Sequence, residues 1–225
     1  HCDHLIANTK DICDYLIQQD WPADRVTYLP NFVDGSPASP IERATHKTPE
    51  GVPLLLALGR LHKNKAFDLM LEALQSIPKA HLWIAGDGNL RKTLESQAHQ
   101  LGVAQRVRWL GWRNDVGALL STADILVCPS RHEPLGNVII EAWAHGCPVV
   151  AAAAQGPQWL IGGTGAGILV PVDDAAALVR SINQLLHDHD AADDLVERGR
   201  MAYSRDYAEN AVVERYIEFF DRVTP

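Results

Sequence analysis

Short, uninterrupted apolar runs alternate with segments of helical spacing along most of the chain. The runs that predict strands cover residues 52–58, 81–85, 107–110, 125–128, 149–153 and 168–170. Helical spacing is found over residues 67–74, 90–101, 115–120, 135–145, 175–187, 191–200 and 208–223. Strands that are apolar throughout are buried on both faces, and strands that alternate with helices form parallel sheets. The pattern therefore predicts an α/β fold with a doubly wound, Rossmann-like parallel sheet.

The segment before this alternation has a different pattern. Residues 1–24 are predicted to be helical with Thr9 as the N-cap, and residues 26–29 are predicted to form a short strand. Residues 34–51 are polar and rich in Pro, Ser and Thr, which predicts a surface linker or loop.

Composition narrows the class of protein. The chain has 225 residues, 47% of them hydrophobic, which is enough for one substantial core. The formal net charge of −8 argues against a nucleic-acid-binding surface, and no apolar run approaches the length of a membrane span. The four cysteines form no C-x-x-C pair and are interpreted as reduced thiols of a cytosolic protein. No signal peptide opens the chain. The chain begins with His1 and not with Met, which suggests a piece cut from a longer protein.

A parallel sheet binds ligands outside the carboxyl ends of its strands, so the loops that follow the predicted strands hold the candidate site. These loops are Gly59-Arg60-Leu61-His62-Lys63-Asn64-Lys65, Gly86-Asp87-Gly88-Asn89, Gly111-Trp112-Arg113, Pro129-Ser130-Arg131-His132-Glu133 and Ala154-Gln155-Gly156-Pro157. Glycine would let the backbone approach a ligand, while Arg60 and Lys65 bracket an anion. Trp112 could form a wall of a base pocket. In a chain of net charge −8, cations gathered at this edge indicate a local anion site.

Two carboxylates accompany the last predicted binding loop and its helix. Glu133 lies in the loop and Glu141 more than a turn inside the helix, so each could hold a different part of one extended ligand. The backbone N–H groups of Gly136 and Asn137 would lie between them, at a helix start that favours anions.

Other chemistries find weaker support in the sequence. No Walker-type phosphate loop is present, and Arg91 stands where the Gly86-Asp87-Gly88 sequence would need a third glycine to bind a dinucleotide. The pair His187 and His189 has no third metal ligand beside it. No Ser/His/Asp or Cys/His set is supported by its spacing.

Taken together, the motifs resemble glycosyltransferase family 4, a large group of retaining transferases with the GT-B fold. The residues that carry the resemblance occur in the family's order: Gly59-Arg60 with Lys65, Ala85-Gly86-Asp87-Gly88, Leu110-Gly111-Trp112, Ala123-Asp124, Pro129-Ser130, Glu133 with Glu141, and Ala144-His145-Gly146-Cys147-Pro148-Val149-Val150-Ala151. Ala66 stands where a glycine commonly follows the lysine, and Gln158 where a glutamate is frequent.

This resemblance implies a nucleoside-diphospho-sugar donor site. Arg60 and Lys65 would bind the diphosphate, Glu141 the ribose hydroxyls and Glu133 the donor sugar, with the amides of Gly136 and Asn137 at the sugar or phosphate. The implied catalytic residues are Glu133, Arg60 and Lys65. The implied donor-binding residues are Gly59, Arg60, Lys65, Gly86, Trp112, Arg113, Glu133, Leu135, Gly136, Asn137 and Glu141. The donor would be a UDP-, GDP- or ADP-sugar, and neither a cofactor nor a metal would be required.

The resemblance also implies a division of the chain. Residues 1–34 would be the tail of an N-terminal domain and the interdomain linker, residues 35–202 the nucleotide-sugar-binding domain, and residues 203–225 a helix packing back towards the N-terminal domain. A glycan, lipopolysaccharide or glycolipid acceptor would bind through the missing N-terminal domain, so the isolated chain is expected to turn over poorly or not at all. The full-length protein is expected to be cytoplasmic or peripheral on the cytoplasmic face of the membrane.

Alternatives remain open at this level. The chain could be a non-catalytic nucleotide-sugar-binding module, or a sugar-nucleotide epimerase or phosphorylase of similar shape, although nothing marks a lysine for pyridoxal phosphate. A NAD-binding domain would need the glycine that Arg91 replaces.

Overall fold

The N-terminal segment forms a small β–α–β unit. A computed structural model describes residues 2–223 of the chain. Strand β1 (Leu5–Ala7) pairs in parallel with β2 (Val26–Tyr28), and helix α1 (Lys10–Gln18) connects them. The hydroxyl of Thr9 caps α1 by accepting from the backbone N–H of Ile12 at 3.1 Å, which confirms the predicted cap. The prediction that residues 1–24 are helical is wrong for β1, because its three apolar residues merged with the helical spacing that follows.

Six further strands form the central sheet. They are β3 (Leu54–Leu58), β4 (His81–Ala85), β5 (Val107–Gly111), β6 (Ile125–Cys128), β7 (Val149–Ala152) and β8 (Ile168–Val170). Every neighbouring pair is parallel, and the strand order is β5-β4-β3-β6-β7-β8. The predicted α/β fold with a doubly wound parallel sheet is confirmed. The order reverses between β3 and β6, which makes the crevice at their carboxyl ends the expected ligand site.

Helices cover both faces of this sheet. They are α2 (Phe67–Gln75), α3 (Arg91–Gln100), α4 (Val116–Thr122), α5 (Asn137–Ala144), α6 (Gln155–Thr164), α7 (Ala175–His187), α8 (His189–Asp206) and α9 (Glu209–Val223). Alternate residues of β3 face opposite cores: Leu55 packs with α2, α3 and α7, whereas Leu54 and Leu56 pack with α4, α5, α6 and α8. This double burial is why β3 reads as an unbroken apolar run.

Helix α6 begins earlier than the sequence predicts. The sequence predicts a loop from Ala154 to Pro157, but α6 starts at Gln155 and includes Gly156 and Pro157. Proline is tolerated in a first helical turn because the backbone N–H that it lacks would have no partner there. Gly163 and Thr164 are also helical, and Gly165, with φ of +65°, caps the end of α6.

The polar segment of residues 34–51 is less exposed to solvent than the sequence predicts. It is irregular apart from a 3₁₀ helix at Arg43–His46, as expected for a loop. However, Thr48 is buried and accepts a hydrogen bond from Trp83 Nε1 at 2.8 Å. Arg43 donates to the carbonyl of Thr122 at 2.8 Å and to the carboxylate of Asp124 at 2.9 Å. These contacts anchor the segment to the central sheet, so the prediction of a surface linker is wrong for Arg43 and Thr48.

The C-terminal helices connect the two parts of the chain. The hydroxyl of Tyr203 on α8 donates to the carbonyl of Val33 at 3.0 Å, and the N–H of Val33 donates to the carbonyl of Tyr207 at 3.1 Å. On α9, Phe219 packs edge-on against His4, which precedes β1, with ring centroids 4.9 Å apart. Of the helices within residues 2–223, none combines the length and the apolar character needed to cross a membrane.

Ala66 has the left-handed backbone conformation that favours glycine. It is fully buried, with φ of +52° and ψ of +38°, between a 3₁₀ turn and α2. We expect Ala66→Gly to change the free energy of unfolding by less than about 1 kcal/mol, because relief of backbone strain offsets the lost methyl burial and the added chain entropy. Ala66→Val should destabilise by about 2 kcal/mol, because a β-branched residue is strained at positive φ and overpacks the site. Urea unfolding measures both changes; equal destabilisation by the two variants would contradict this account.

Candidate functional site

Two loops meet at the crevice between β3 and β6. The carbonyl of Asn64, in the loop after β3, accepts from the backbone N–H of Arg131 at 2.8 Å and of His132 at 3.2 Å, in the loop after β6. The guanidinium of Arg131 donates to the carboxylate of Asp68 at 2.9 and 2.7 Å and to that of Asp173 at 2.6 Å. These bonds hold the predicted cation loop and the predicted carboxylate loop in one fixed arrangement.

Lys65 and Glu133 form an ion pair across the two loops. Glu133 is 9% exposed, and its Oε2 also accepts from the buried hydroxyl of Ser130 at 3.0 Å. A buried carboxylate requires such partners, because its desolvation is otherwise costly. Sequence motifs include Ser130 but do not indicate a role for it. Its hydroxyl orients the carboxylate of Glu133.

Two of the predicted glycines shape this loop region by their lack of a side chain. Gly59 has φ of +137°, and a Cβ there would meet Lys65 Cε at 2.9 Å. Its absence lets the lysine side chain lie across the end of β3. Gly86 has φ of +145°, and a Cβ there would lie 1.9 Å from the carbonyl oxygen of Gly59. Gly86 therefore packs the loops after β3 and β4 together and does not line either of the clefts described below.

The first cleft, which we call the Lys65 cleft, lies at the junction of the two loops. It has a volume of about 400 Å³ and is lined by Arg60, His62, Asn64, Lys65, His132, Glu133 and Pro134. Its only acidic lining residue, Glu133, is paired with Lys65. Arg60 is exposed and makes no ion pair within residues 2–223. A guanidinium free to turn towards a ligand, beside a lysine, gives this cleft the character of an anion site.

The second cleft, the Glu141 cleft, has the opposite charge. It has a volume of about 430 Å³ and is lined by Val33, Asp34, Ser36, Pro37, Ala38, Asn114, Asp115, Val116, Gly117, Ala118, Glu141 and His145. Asp115 is paired with Arg113, whose guanidinium donates to it at 2.7 and 2.5 Å. Burial lowers the pKa of His145, and this effect outweighs the opposing charge of Asp34. The lowered pKa keeps the imidazole mostly neutral at pH 7. The cleft therefore suits a neutral ligand rich in hydroxyl groups and not a phosphate.

Among the carboxylates of the Glu141 cleft, that of Glu141 is the most buried. Burial raises its pKa, and the charge of Lys65 in the neighbouring cleft opposes that shift. Within the described part of the chain, its carboxylate accepts no hydrogen bond. A half-buried carboxylate without a partner is an acceptor available to ligand hydroxyl groups.

The structure places Leu135, Gly136 and Asn137 apart from both clefts. Gly136, with φ of +81°, is the N-cap of α5, and Asn137 is its first residue, so the helix begins later than predicted. Leu135 and Asn137 line a third, narrow cavity between α5 and the N-terminal unit. The side-chain oxygen of Asn137 is buried and makes no hydrogen bond with the described residues.

Trp112 and Arg113 lie beside the Glu141 cleft and not among its lining residues. Trp112 is 78% exposed, and its indole donates to Asn114 at 3.2 Å. Their neighbours Asn114 and Asp115 do line the cleft. No sequence motif indicates these two residues as part of the site. Trp112 is therefore exposed beside the cleft, and its predicted contact with a base stays a prediction.

Within the described residues, the cysteines and histidines form no further functional centre. Cys2, Cys13, Cys128 and Cys147 are all free thiols, as the spacing predicts. His187 Nδ1 contacts the carbonyl of Asn183 on its own helix at 2.6 Å. Among residues 2–223, no group of three or more His, Cys, Asp or Glu side chains is placed to hold a metal.

The architecture is that of the GT-B glycosyltransferases. One of the similar solved structures is Anabaena HepE in complex with UDP and glucose. It superposes with a TM-score of 0.85 at 23% identity and covers 98% of this chain and 63% of HepE. This likeness shows the fold.

Comparison of sequences shows the family. The model of the family described as glycosyl transferases group 1 matches residues 39–202. Two proteins of Rhizobium meliloti (strain 1021), both named lipopolysaccharide core biosynthesis glycosyltransferase, are similar over nearly the whole chain. LpsE is 34% identical over 216 residues, and LpsD is 32% identical over 218 residues. These alignments cover 96% and 97% of this chain and 63% of each relative. The chain belongs to the glycosyl transferases group 1 family.

Proposed function

We propose that this chain is the donor-binding part of a retaining family 4 glycosyltransferase that takes a hexose from a nucleoside-diphospho-sugar. The observation that carries the proposal is the division of charge between the two clefts. The Lys65 cleft offers cations, and the Glu141 cleft offers an unpartnered carboxylate. A nucleoside diphosphate has the matching division, with its charge on the phosphates and its hydroxyl groups on the ribose.

Each part of the donor then has a matching group in the chain. The diphosphate binds Arg60 and Lys65, and the ribose hydroxyls donate to Glu141. The base extends along the backbone near Asn114 and Val116, which line the same cleft as Glu141. The sugar lies at Glu133, in the other cleft.

Lys65 connects the phosphate with the sugar in this proposal. A lysine ammonium has three N–H donors, so it can keep its bond to Glu133 and donate to a phosphate oxygen as well. The negative charge of Glu133, held by Ser130, would stabilise an oxocarbenium-like transition state at the sugar.

Departure of the nucleoside diphosphate adds negative charge next to Arg60 and Lys65. Preorganised cations stabilise such charge without reorganising during the reaction, so we propose that no divalent metal is required. Retention of configuration follows from the family resemblance and is part of the same proposal.

The acceptor belongs to the proposal for the whole protein. Because the chain spans 63% of its relatives LpsE and LpsD, further residues are expected to complete the acceptor site. The names of these two relatives favour a lipopolysaccharide acceptor over other glycans or glycolipids. We expect the chain alone to bind donor and to transfer little or no sugar.

Calorimetric titration with UDP-, GDP- and ADP-sugars tests the proposal. At least one donor should bind, and its parent nucleoside diphosphate should compete for the same site. No binding to any of the three by the folded chain would refute donor binding. Assay of the full-length protein with the bound donor then separates transfer to an acceptor from epimerisation of the donor and from binding without turnover.

Arg60→Ala should lower affinity for the diphosphate by about tenfold, the scale of one charge-assisted hydrogen bond. Affinity for the corresponding nucleoside should change by less than about twofold, because the nucleoside lacks the group that Arg60 contacts. Competition calorimetry measures both values, with the exposed Arg180 on α7 as the matched Arg180→Ala control. Equal losses for nucleoside and nucleoside diphosphate would argue against a phosphate role.

A further inference from the structure

His62 is a member of the Lys65 cleft to which no motif assigns a role. It lines the cleft together with Arg60 and Lys65, and its side chain is half-buried. The backbone around it is well fixed: its N–H donates to the carbonyl of Arg60 at 2.8 Å, and its carbonyl accepts from the N–H of Lys65 at 2.9 Å. The preceding residue, Leu61, is fully buried. The imidazole therefore extends from a rigid part of the loop.

One ring nitrogen of His62 already has a partner. Nδ1 accepts from the backbone N–H of Asn64 at 3.3 Å and so caps the short 3₁₀ helix Lys63–Lys65. A neutral imidazole has one acceptor nitrogen and one N–H donor, so acceptance at Nδ1 places the proton on Nε2. Within residues 2–223, Nε2 makes no hydrogen bond.

We propose that His62 is a donor-binding residue whose Nε2–H donates to a phosphate oxygen of the nucleoside diphosphate. This inference rests on the proposed function, because Arg60 and Lys65 make the cleft an anion site. Phosphate oxygens accept hydrogen bonds, and a neutral N–H donor adds direction to the charge that the two cations supply. The cap on the 3₁₀ helix thus selects the tautomer that the ligand needs.

Three substitutions at His62 distinguish the capping role of Nδ1 from the proposed donor role of Nε2. His62→Asn keeps an acceptor in the position of Nδ1, since asparagine is a favourable cap, but removes the Nε2 donor. His62→Gln supplies an amide N–H near the position of Nε2 without the short acceptor. His62→Ala removes both groups. His99, on α3, is exposed and lies outside the cleft, so it provides the matched control His99→Ala.

The experiment is calorimetry of each variant with UDP, GDP and ADP, together with urea unfolding. We expect His62→Ala and His62→Asn to bind the preferred diphosphate about tenfold more weakly than the wild type, a loss typical of a hydrogen bond to a charged group. His62→Gln should retain most of the affinity, and His99→Ala should lose less than about twofold. The urea midpoint should fall in His62→Ala but not in His62→Asn, so the asparagine variant tests binding even if the alanine variant folds poorly.

Wild-type affinity in His62→Asn would overturn the inference, because the role of His62 would then be the cap alone. Wild-type affinity in His62→Ala would overturn it as well. If the wild-type chain binds none of the three diphosphates, the proposed function fails. If the wild type binds and the His62 variants bind equally well, only the role of His62 fails.

Discussion

Glu141→Ala is expected to weaken binding of the nucleoside diphosphate by about 1.5–3 kcal/mol, the scale of a hydrogen bond to a charged group. The carboxylate lies in the Glu141 cleft and accepts no hydrogen bond within residues 2–223, so the ribose hydroxyls would be its partners. The loss should be equally large for the free nucleoside, since Glu141 contacts the ribose in this account. Calorimetry with both ligands measures it, and Glu72→Ala, an exposed substitution on α2, is the control.

The same residue should show a dependence of stability on pH. Burial raises the folded-state pKa of Glu141 above its ordinary value of 4.5, so ionisation of the side chain destabilises the fold. This destabilisation is absent below the unfolded-state pKa and is complete above the raised folded-state pKa. Glu141→Gln should therefore be more stable than the wild type near pH 7, and the difference should disappear as the pH falls towards 4.5.

Urea unfolding of the wild type and Glu141→Gln over this pH range checks the second effect. A glutamine variant that gains stability at neutral pH and loses ligand affinity would show a residue kept for binding at a cost in stability. Unchanged affinity for both nucleoside and diphosphate would remove Glu141 from the site, whatever its effect on stability.

Lys65→Ala is expected to destabilise the unliganded fold by about 2–3 kcal/mol, because it leaves the buried carboxylate of Glu133 with only Ser130 as a partner. Glu133→Gln should cost less, since Lys65 is more exposed and can turn to solvent. The double variant should be more stable than the sum of the two single effects predicts, with a coupling free energy of at least about 1 kcal/mol.

Urea unfolding without ligand measures this cycle, and Lys92→Ala on the exposed surface of α3 should change stability by less than about 0.5 kcal/mol. Simple additivity of the two substitutions would mean that the ion pair contributes nothing. Diphosphate affinity should fall in every variant that lacks Lys65, because its ammonium is also a phosphate donor in the proposed function.

The central sheet could be predicted because its strands are buried on both faces. Residues such as Leu54, Leu55 and Leu56 are all apolar for that reason, although they face two different cores. The strand β1 could not be predicted, because Leu5, Ile6 and Ala7 are too few to separate from the helical spacing of α1. The start of α6 could not be predicted, because Gly156 and Pro157 are typical of loops as well as of a first helical turn.

The position of the candidate site could be predicted from topology, but its internal contacts could not. The rule that ligands bind at the carboxyl ends of parallel strands identifies the loops with Arg60, Lys65 and Glu133. Spacing cannot show that Lys65 and Glu133 form an ion pair, since they are 68 positions apart in the chain. Nor could it show that Ser130 would be buried against Glu133, or that Asn137 would face a third cavity. These features depend on how closely the loops approach each other, which the glycines at 59 and 86 determine in three dimensions.

A crystal structure of the chain soaked with a mixture of UDP, GDP and ADP tests the account most directly. We expect one nucleoside diphosphate across both clefts, with its phosphates at Arg60 and Lys65 and its ribose hydroxyls on Glu141. A nucleotide bound elsewhere, for example in the cavity beside Leu135 and Asn137 or at the opposite edge of the sheet, would contradict it.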